Sequence, residues 1–264
     1  MNTTPLTLDN IRHLAPAAFT THAAGRTSTR YRHIPTSAVI EHMMGKGFIA
    51  VQASQSASRL DNGANFAKHM IRFRDPQATA MSVGDSVPEV VLINAHNASS
   101  SYQLMAGIFR LICTNGMIVA DSMIGSVRVI HTGSAAEEVV AGSVELMNRM
   151  PRVTNAIGRW RKQNLLPAHQ EVFAEAAHAI RFADPDGKVS TDNVKPRELL
   201  TARRTDDEAN DLWTVFNRVQ ENVIKGGVGR RATRQITSID RDVRLNRALW
   251  TLGEKMSELL PKSA

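Results

Sequence analysis

The chain has 264 residues, of which 42% are hydrophobic and 22% charged, enough apolar material for a core and too little charge for a disordered polyelectrolyte. Its formal charge of +7 and pI near 10 favour acidic partners, nucleic acid first among them. A single cysteine, Cys113, excludes an internal disulfide and is read as a small buried hydrophobe. With no signal-like N-terminus and no apolar run near the roughly 20 residues a bilayer demands, the expectation is a cytoplasmic protein with no membrane partner.

In chain order, Thr27 to Ile34 alternates like a strand and stops at Ile34–Pro35. Thr36 or Ser37 caps a helix whose Val39, Ile40, Met43 and Met44 recur at helical spacing, and Gly45–Lys46–Gly47 ends it. Phe48 to Ala53 is a short strand. Ala67 to Arg74 alternates, with His69, Ile71 and Phe73 on one face and Lys68, Met70, Arg72 and Arg74 on the other. Gly84 to Pro88 reads as a turn and Glu89 to Asn94 as a buried strand. A polar stretch from Asn97 to Ser101 then opens an apolar helix from about Tyr102 to Ile112, followed by a turn at Asn115–Gly116. Val127 to His131 reads as a strand and Ala135 to Met150 as a helix.

Beyond Pro151 strand signals vanish. Helices are expected over Pro167 to Phe182, Pro196 to Arg204, Asp207 to Ile224 and Ser238 to Leu260, with a turn at Asp184–Pro185–Asp186–Gly187. The fold class is therefore α+β: a mixed N-terminal half with a small antiparallel sheet and helices, then an all-helical C-terminal part. The expected domains are residues 1–150 and a helical region, 151–264, packed on them or continuous with them.

Charge is unevenly spread. Residues 1–74 carry nine bases against three acids. Lys68, Arg72 and Arg74 share one face of an extended segment, with alternate residues about 7 Å apart, so the row can track a strand of phosphates. Arg30, Tyr31 and Arg32 place an aromatic between two bases, a stacking residue beside two phosphate ligands. The plain alternative is a solvated outer sheet face. A second basic run, Lys225 to Arg234 (KGGVGRRATR), holds three glycines and the bases Lys225, Arg230, Arg231 and Arg234 with no acid. Glycines let backbone N–H groups approach a phosphate, so this run is read as a mobile phosphate-gripping loop, against the alternative of a flexible connector. It lacks the order of a P-loop. Arg241, Arg244 and Arg247 on the last helix sit beside Asp240 and Asp242 and largely neutralise one another.

Three histidines in or after strands, His69, His96 and His131, form a candidate polar site. No H-x-x-x-H or H-E-x-x-H spacing accompanies them, so neither a metal nor a cofactor is expected. Ser99 to Ser101 lie near His96, but no G-x-S-x-G elbow occurs.

Several long blocks carry a resemblance: YRHIPT from Tyr31, FAKHMIRFR from Phe66, PEVVLINAH from Pro88, SYQLMAGIFR from Ser101, CTNG from Cys113 and SIDRDVRLNRALW from Ser238. Over about residues 20–260 the chain closely resembles the domain of unknown function 932 family, whose full-length members are called uncharacterised protein family 0380. It departs from the family at Ala95 and Asn97–Ala98 and keeps His96. The resemblance implies a prophage or plasmid setting and no particular reaction. The element order from Thr36 to Ile112, a helix, three strands and a helix, also resembles the core of the Rad52-type single-strand annealing proteins. That likeness implies backbone binding by basic residues on a sheet and assembly into homo-oligomeric rings.

The leading expectation is a non-enzymatic DNA-binding protein of a mobile genetic element, favouring single-stranded DNA and serving annealing or recombination. Two alternatives are a metal-dependent nuclease built on the histidines and an inhibitor of host defence that binds an acidic protein.

Overall fold

The computed structural model describes residues 4–25, 33–57, 63–75, 86–97, 100–110, 115–119, 125–129 and 134–261. The fold is α+β: a six-stranded antiparallel sheet occupies the N-terminal half, and helices make up most of the rest. The chain divides into two compact units, residues 1–153 and 154–264.

In the first unit, helix α1 (Leu8–Leu14) begins with a reciprocal capping box between Thr7 and Asn10. Helix α2 (Thr36–Gly45) starts directly after Pro35, and Gly47, at φ 94°, turns the chain out of it. Strands β1 (Ile49–Gln55), β2 (His69–Arg74), β3 (Ser86–Asn94) and β4 (Tyr102–Arg110) then pair in sequence order. The far side of β4 is shared. Strand β5 (Asn115–Ile118) pairs with its C-terminal half and β6 (Val127–Val129) with its N-terminal end.

Strand β4 is where the expected helix from Tyr102 fails. The segment is paired along both edges, and eight of its nine residues, all but Gln103, are buried. A run apolar on every side has no period, so pattern alone does not separate a doubly covered strand from a core helix. The order on which the Rad52-type likeness rests becomes a helix followed by four strands. That likeness carries no further argument.

The strand expected at Thr27 to Ile34 falls mostly outside the described residues, while His33 to Pro35 are not in a strand. The turn expected at Gly84 to Pro88 is corrected at its end, since Pro88 lies within β3 opposite Ile108. Helix α3 (Ala135–Trp160) continues through Pro151, which was expected to mark its end. Proline removes one helical hydrogen bond, but Met150, Val153, Ala156, Ile157 and Trp160 are all buried, and that packing holds the helix together.

In the second unit, helix α4 (Pro167–Phe182) begins with proline in its first turn. Helix α5 (Leu212–Lys225) is capped by Asp211 and α6 (Ile239–Leu259) by Ser238. Pro196–Leu200 is a short 3-10 turn where a longer helix was expected. Every residue of α5 from Leu212 to Ile224 is buried, which makes it the axis of the unit. Trp213 and Phe216 on this helix stack at 5.6 Å and cluster with Trp160 and Trp250, whose rings lie tilted at 4.9 Å from one another. Gly253 is required there: a Cβ at that position would approach the Trp160 ring to 2.5 Å.

Candidate functional site

The basic row on β2 is not an open surface. Arg72 is 1% exposed; its Nε donates to Glu89 Oε2 at 2.6 Å and its Nη2 to the Met117 carbonyl at 2.8 Å. Arg74 donates through Nε to Glu89 Oε1 at 2.9 Å and lies over the Phe109 ring at 4.5 Å. Two glycines make the slot for Arg72. A Cβ on Gly107 would meet its Nη2 at 2.6 Å, and one on Gly116 its Cζ at 2.7 Å. The expected phosphate ligands Arg72 and Arg74 are thus partners of a buried carboxylate, because β2 is an inner strand covered on both faces. Lys68 precedes the strand and is half-buried, while Arg30, Tyr31 and Arg32 lie outside the described residues.

Two of the three expected histidines do converge. His69 comes from β2 and His96 from just beyond β3, and both meet Thr36 in the first turn of α2. His69 Nδ1 faces the Ala67 carbonyl at 3.0 Å and so donates to it. Its Nε2 then accepts from the Thr36 hydroxyl at 2.8 Å. That same oxygen accepts from His96 Nε2 at 3.1 Å and from Asn94 Nδ2 at 3.0 Å. The half-buried His33 joins from the other side, its ring 4.6 Å from that of His96 and its Nε2 donating to the Thr20 carbonyl at 2.8 Å. His131 lies outside the described residues. Hydroxyl, imidazole and orienting carbonyl stand in the relation that activates a nucleophile. Thr36, His69, Asn94 and His96 are nevertheless 0% exposed, so the network ties α2 to β2 and β3 and presents no group to a substrate. Among the described residues no group of three or more His, Cys, Asp or Glu is placed to hold a metal.

The glycine–arginine loop is ordered by its own backbone. Gly227 N–H donates to the Thr233 carbonyl at 2.8 Å and Thr233 N–H to the Val228 carbonyl at 3.0 Å. Asn193 clamps the tip: its carbonyl accepts from Arg230 N–H at 2.8 Å, and its Oδ1 from Arg231 N–H at 2.8 Å. A Cβ on Gly226 would meet the Thr233 oxygen at 2.5 Å, and one on Gly229 the Asn193 oxygen at 2.6 Å. The glycines therefore allow the loop to close on itself, a different role from the mobility expected of them.

Arg230, Arg231 and Arg234 remain exposed on this frame. Lys225 is drawn to Glu221 at 3.0 Å, one helical turn back. Arg181, which sequence reasoning passed over, reaches the same place from α4, donating to the carbonyls of Val223 and Arg234, each at 3.2 Å. Burial, together with the nearby charge of Arg241, lowers its pKa to about 10. Cations are gathered here around carbonyls and one another.

Comparison with known proteins settles the kinship of the chain. A family profile described as domain of unknown function (DUF932) matches residues 23–250. The chain belongs to this family. Two Escherichia coli (strain K12) members, UPF0380 protein YafZ and UPF0380 protein YfjQ, are each 36% identical to it over 260 residues, covering 96% of this chain and 92% of theirs. No solved structure matches it. The span shared with DUF932 takes in the histidine–threonine network, the Arg72–Glu89–Arg74 cluster and the glycine–arginine loop.

Proposed function

We propose that this DUF932 protein binds nucleic acid through the loop from Lys225 to Arg234, with single-stranded DNA the favoured form. The observation that supports the reading is the display of Arg230, Arg231 and Arg234 on a backbone-clamped loop beside Arg181. Exposed guanidinium groups on an ordered backbone offer phosphates several charge-assisted contacts, with little ordering of the main chain on binding. Sequence-independent grip on a strand draws on such basic groups together with side chains on which bases stack. The prophage and plasmid setting that the family resemblance implies suits a part in annealing, recombination or protection of incoming DNA in a mobile element.

Gel retardation at low salt, with single-stranded DNA, duplex DNA and RNA, tests the proposal. Single strands should be retarded most. The triple variant Arg230→Ala, Arg231→Ala, Arg234→Ala should lose most of that retardation while keeping its thermal midpoint. No retardation of any nucleic acid at low salt would sink the reading. Metal-dependent cleavage in the same lanes would replace it with a nuclease.

A further inference from the structure

Beside the clamped loop lies a cavity of about 510 Å³, bounded by Glu198, Thr201, Arg203, Asn222, Gly227 and Gly229. Its volume is in the range of small-molecule sites. Arg203 is held in place there. Its Nε donates to Asn222 Oδ1 at 2.8 Å and its Nη2 to the Gly226 carbonyl, while the residue as a whole stays exposed. Asn222 is itself fixed, donating to the carbonyls of Leu199 and Thr201, both at 2.9 Å. The guanidinium is therefore preorganised, with its remaining edge available to an anion.

The rest of the lining selects what that anion is attached to. Glu198 uses Oε2 to accept from Lys195 N–H at 2.6 Å, which fixes the carboxylate and leaves Oε1 over. A bare oxyanion would meet Arg203 and a carboxylate together, which is unfavourable. A ligand carrying an anion at one end and hydrogen-bond donors at the other satisfies both. Val228 also lines the cavity, and Gly227 contributes only backbone, the nearest atom to a Cβ there being Arg203 Nη2 at 3.9 Å, which leaves room for a flat or ring-shaped body on that side.

We propose that this cavity binds one nucleoside monophosphate unit, its phosphate on Arg203 and its sugar or base donors on Glu198 and the Thr201 hydroxyl. The choice of a nucleotide over other ligands with an anion and donors rests on the nucleic-acid reading of the adjoining loop. The unit is either a free mononucleotide or the phosphorylated end of a strand.

Calorimetric titration of the full chain with a nucleoside monophosphate, the matching nucleoside and inorganic phosphate tests it. The monophosphate should bind at least tenfold more tightly than either fragment. Arg203→Gln and Glu198→Gln should each weaken it tenfold or more, and Arg203→Lys less, with melting curves confirming that each variant is folded. Preference for a 5′-phosphorylated oligonucleotide over its 5′-hydroxyl twin, lost in Arg203→Gln, would assign the site to strand ends; binding confined to the free mononucleotide would assign it to the small molecule. No heat with the monophosphate, or heat unchanged in both Gln variants, overturns the inference and leaves strand binding by the loop standing. Mononucleotide binding without gel retardation would overturn the loop reading alone.

Discussion

Thr36 has one proton and two lone pairs, and all three are committed: the proton to His69, the lone pairs to His96 and Asn94. Valine at this position keeps the shape and removes every partner, leaving three buried polar groups to lose their bonds at once. Thr36→Val should therefore cost roughly 2–5 kcal/mol in denaturant unfolding. Thr36→Ser, which loses only a methyl, should stay within about 1 kcal/mol of the parent. Equal losses in the two variants would show that the methyl, not the network, matters. His69 and His96 were legible as two of three histidines, with His131, that sit in or just after strands, while Thr36 was read only as a helix cap. The N-cap is Pro35 with no side-chain cap, and the role Thr36 does play depends on α2 lying across β2, which local sequence does not record. Arg72 teaches the converse. Alternation placed it correctly on the face of Lys68 and Arg74, but alternation cannot say whether a face meets water. The signal for burial was present in Glu89 and in two glycines, Gly107 and Gly116, inside or at the start of strands.

At the scale of elements, α5 is buried from Leu212 to Ile224 and yet carries Arg218, Glu221 and Asn222. Glu221 shows how such a helix is tolerated. Burial opposes its charge, but hydrogen bonds from Arg204, at 2.8 and 2.9 Å, and from Lys225 outweigh that and hold its carboxyl below the usual range. A carboxyl depressed in the folded state adds stability above its unfolded pKa of about 4.3, and that stability is lost as pH falls through the lower folded value. Glu221→Gln should accordingly lower the denaturant midpoint at pH 7 and flatten its decline on the acid side. A parallel downward shift at all pH values would assign the loss to packing alone. Helix α5, expected from Asp207, begins at Leu212 after its cap Asp211. Helices α4 and α6 were readable because apolar stripes, a proline in the first turn and the cap Ser238 agree with one another. Strand β4 was not, since burial on every side erases the periodicity that distinguishes the two kinds of element.

Over the whole molecule, net charge misleads about where the grip lies. Residues 1–74 carry nine bases and three acids, but residues 75–153 carry four bases and seven acids, so the first unit holds +3 and the second, with 19 bases and 15 acids, +4. In the first unit, moreover, Arg72 and Arg74 are spent on Glu89. If bulk charge drove nucleic-acid binding, any bases removed would matter equally. If the loop does, position decides. Removing Arg230, Arg231 and Arg234 should lower the slope of log K against log salt by about 2 for a single strand, at roughly 0.7 per lost phosphate contact. Arg12→Ala with Lys46→Ala removes two exposed charges from the first unit. Arg12 lies over the Phe19 ring at 4.7 Å and Lys46 ends α2, so the pair serves as a control for loss of charge outside the loop, and its slope should stay within error of the parent. Equal slopes for the two sets of variants would return the interaction to diffuse attraction and remove the loop from it.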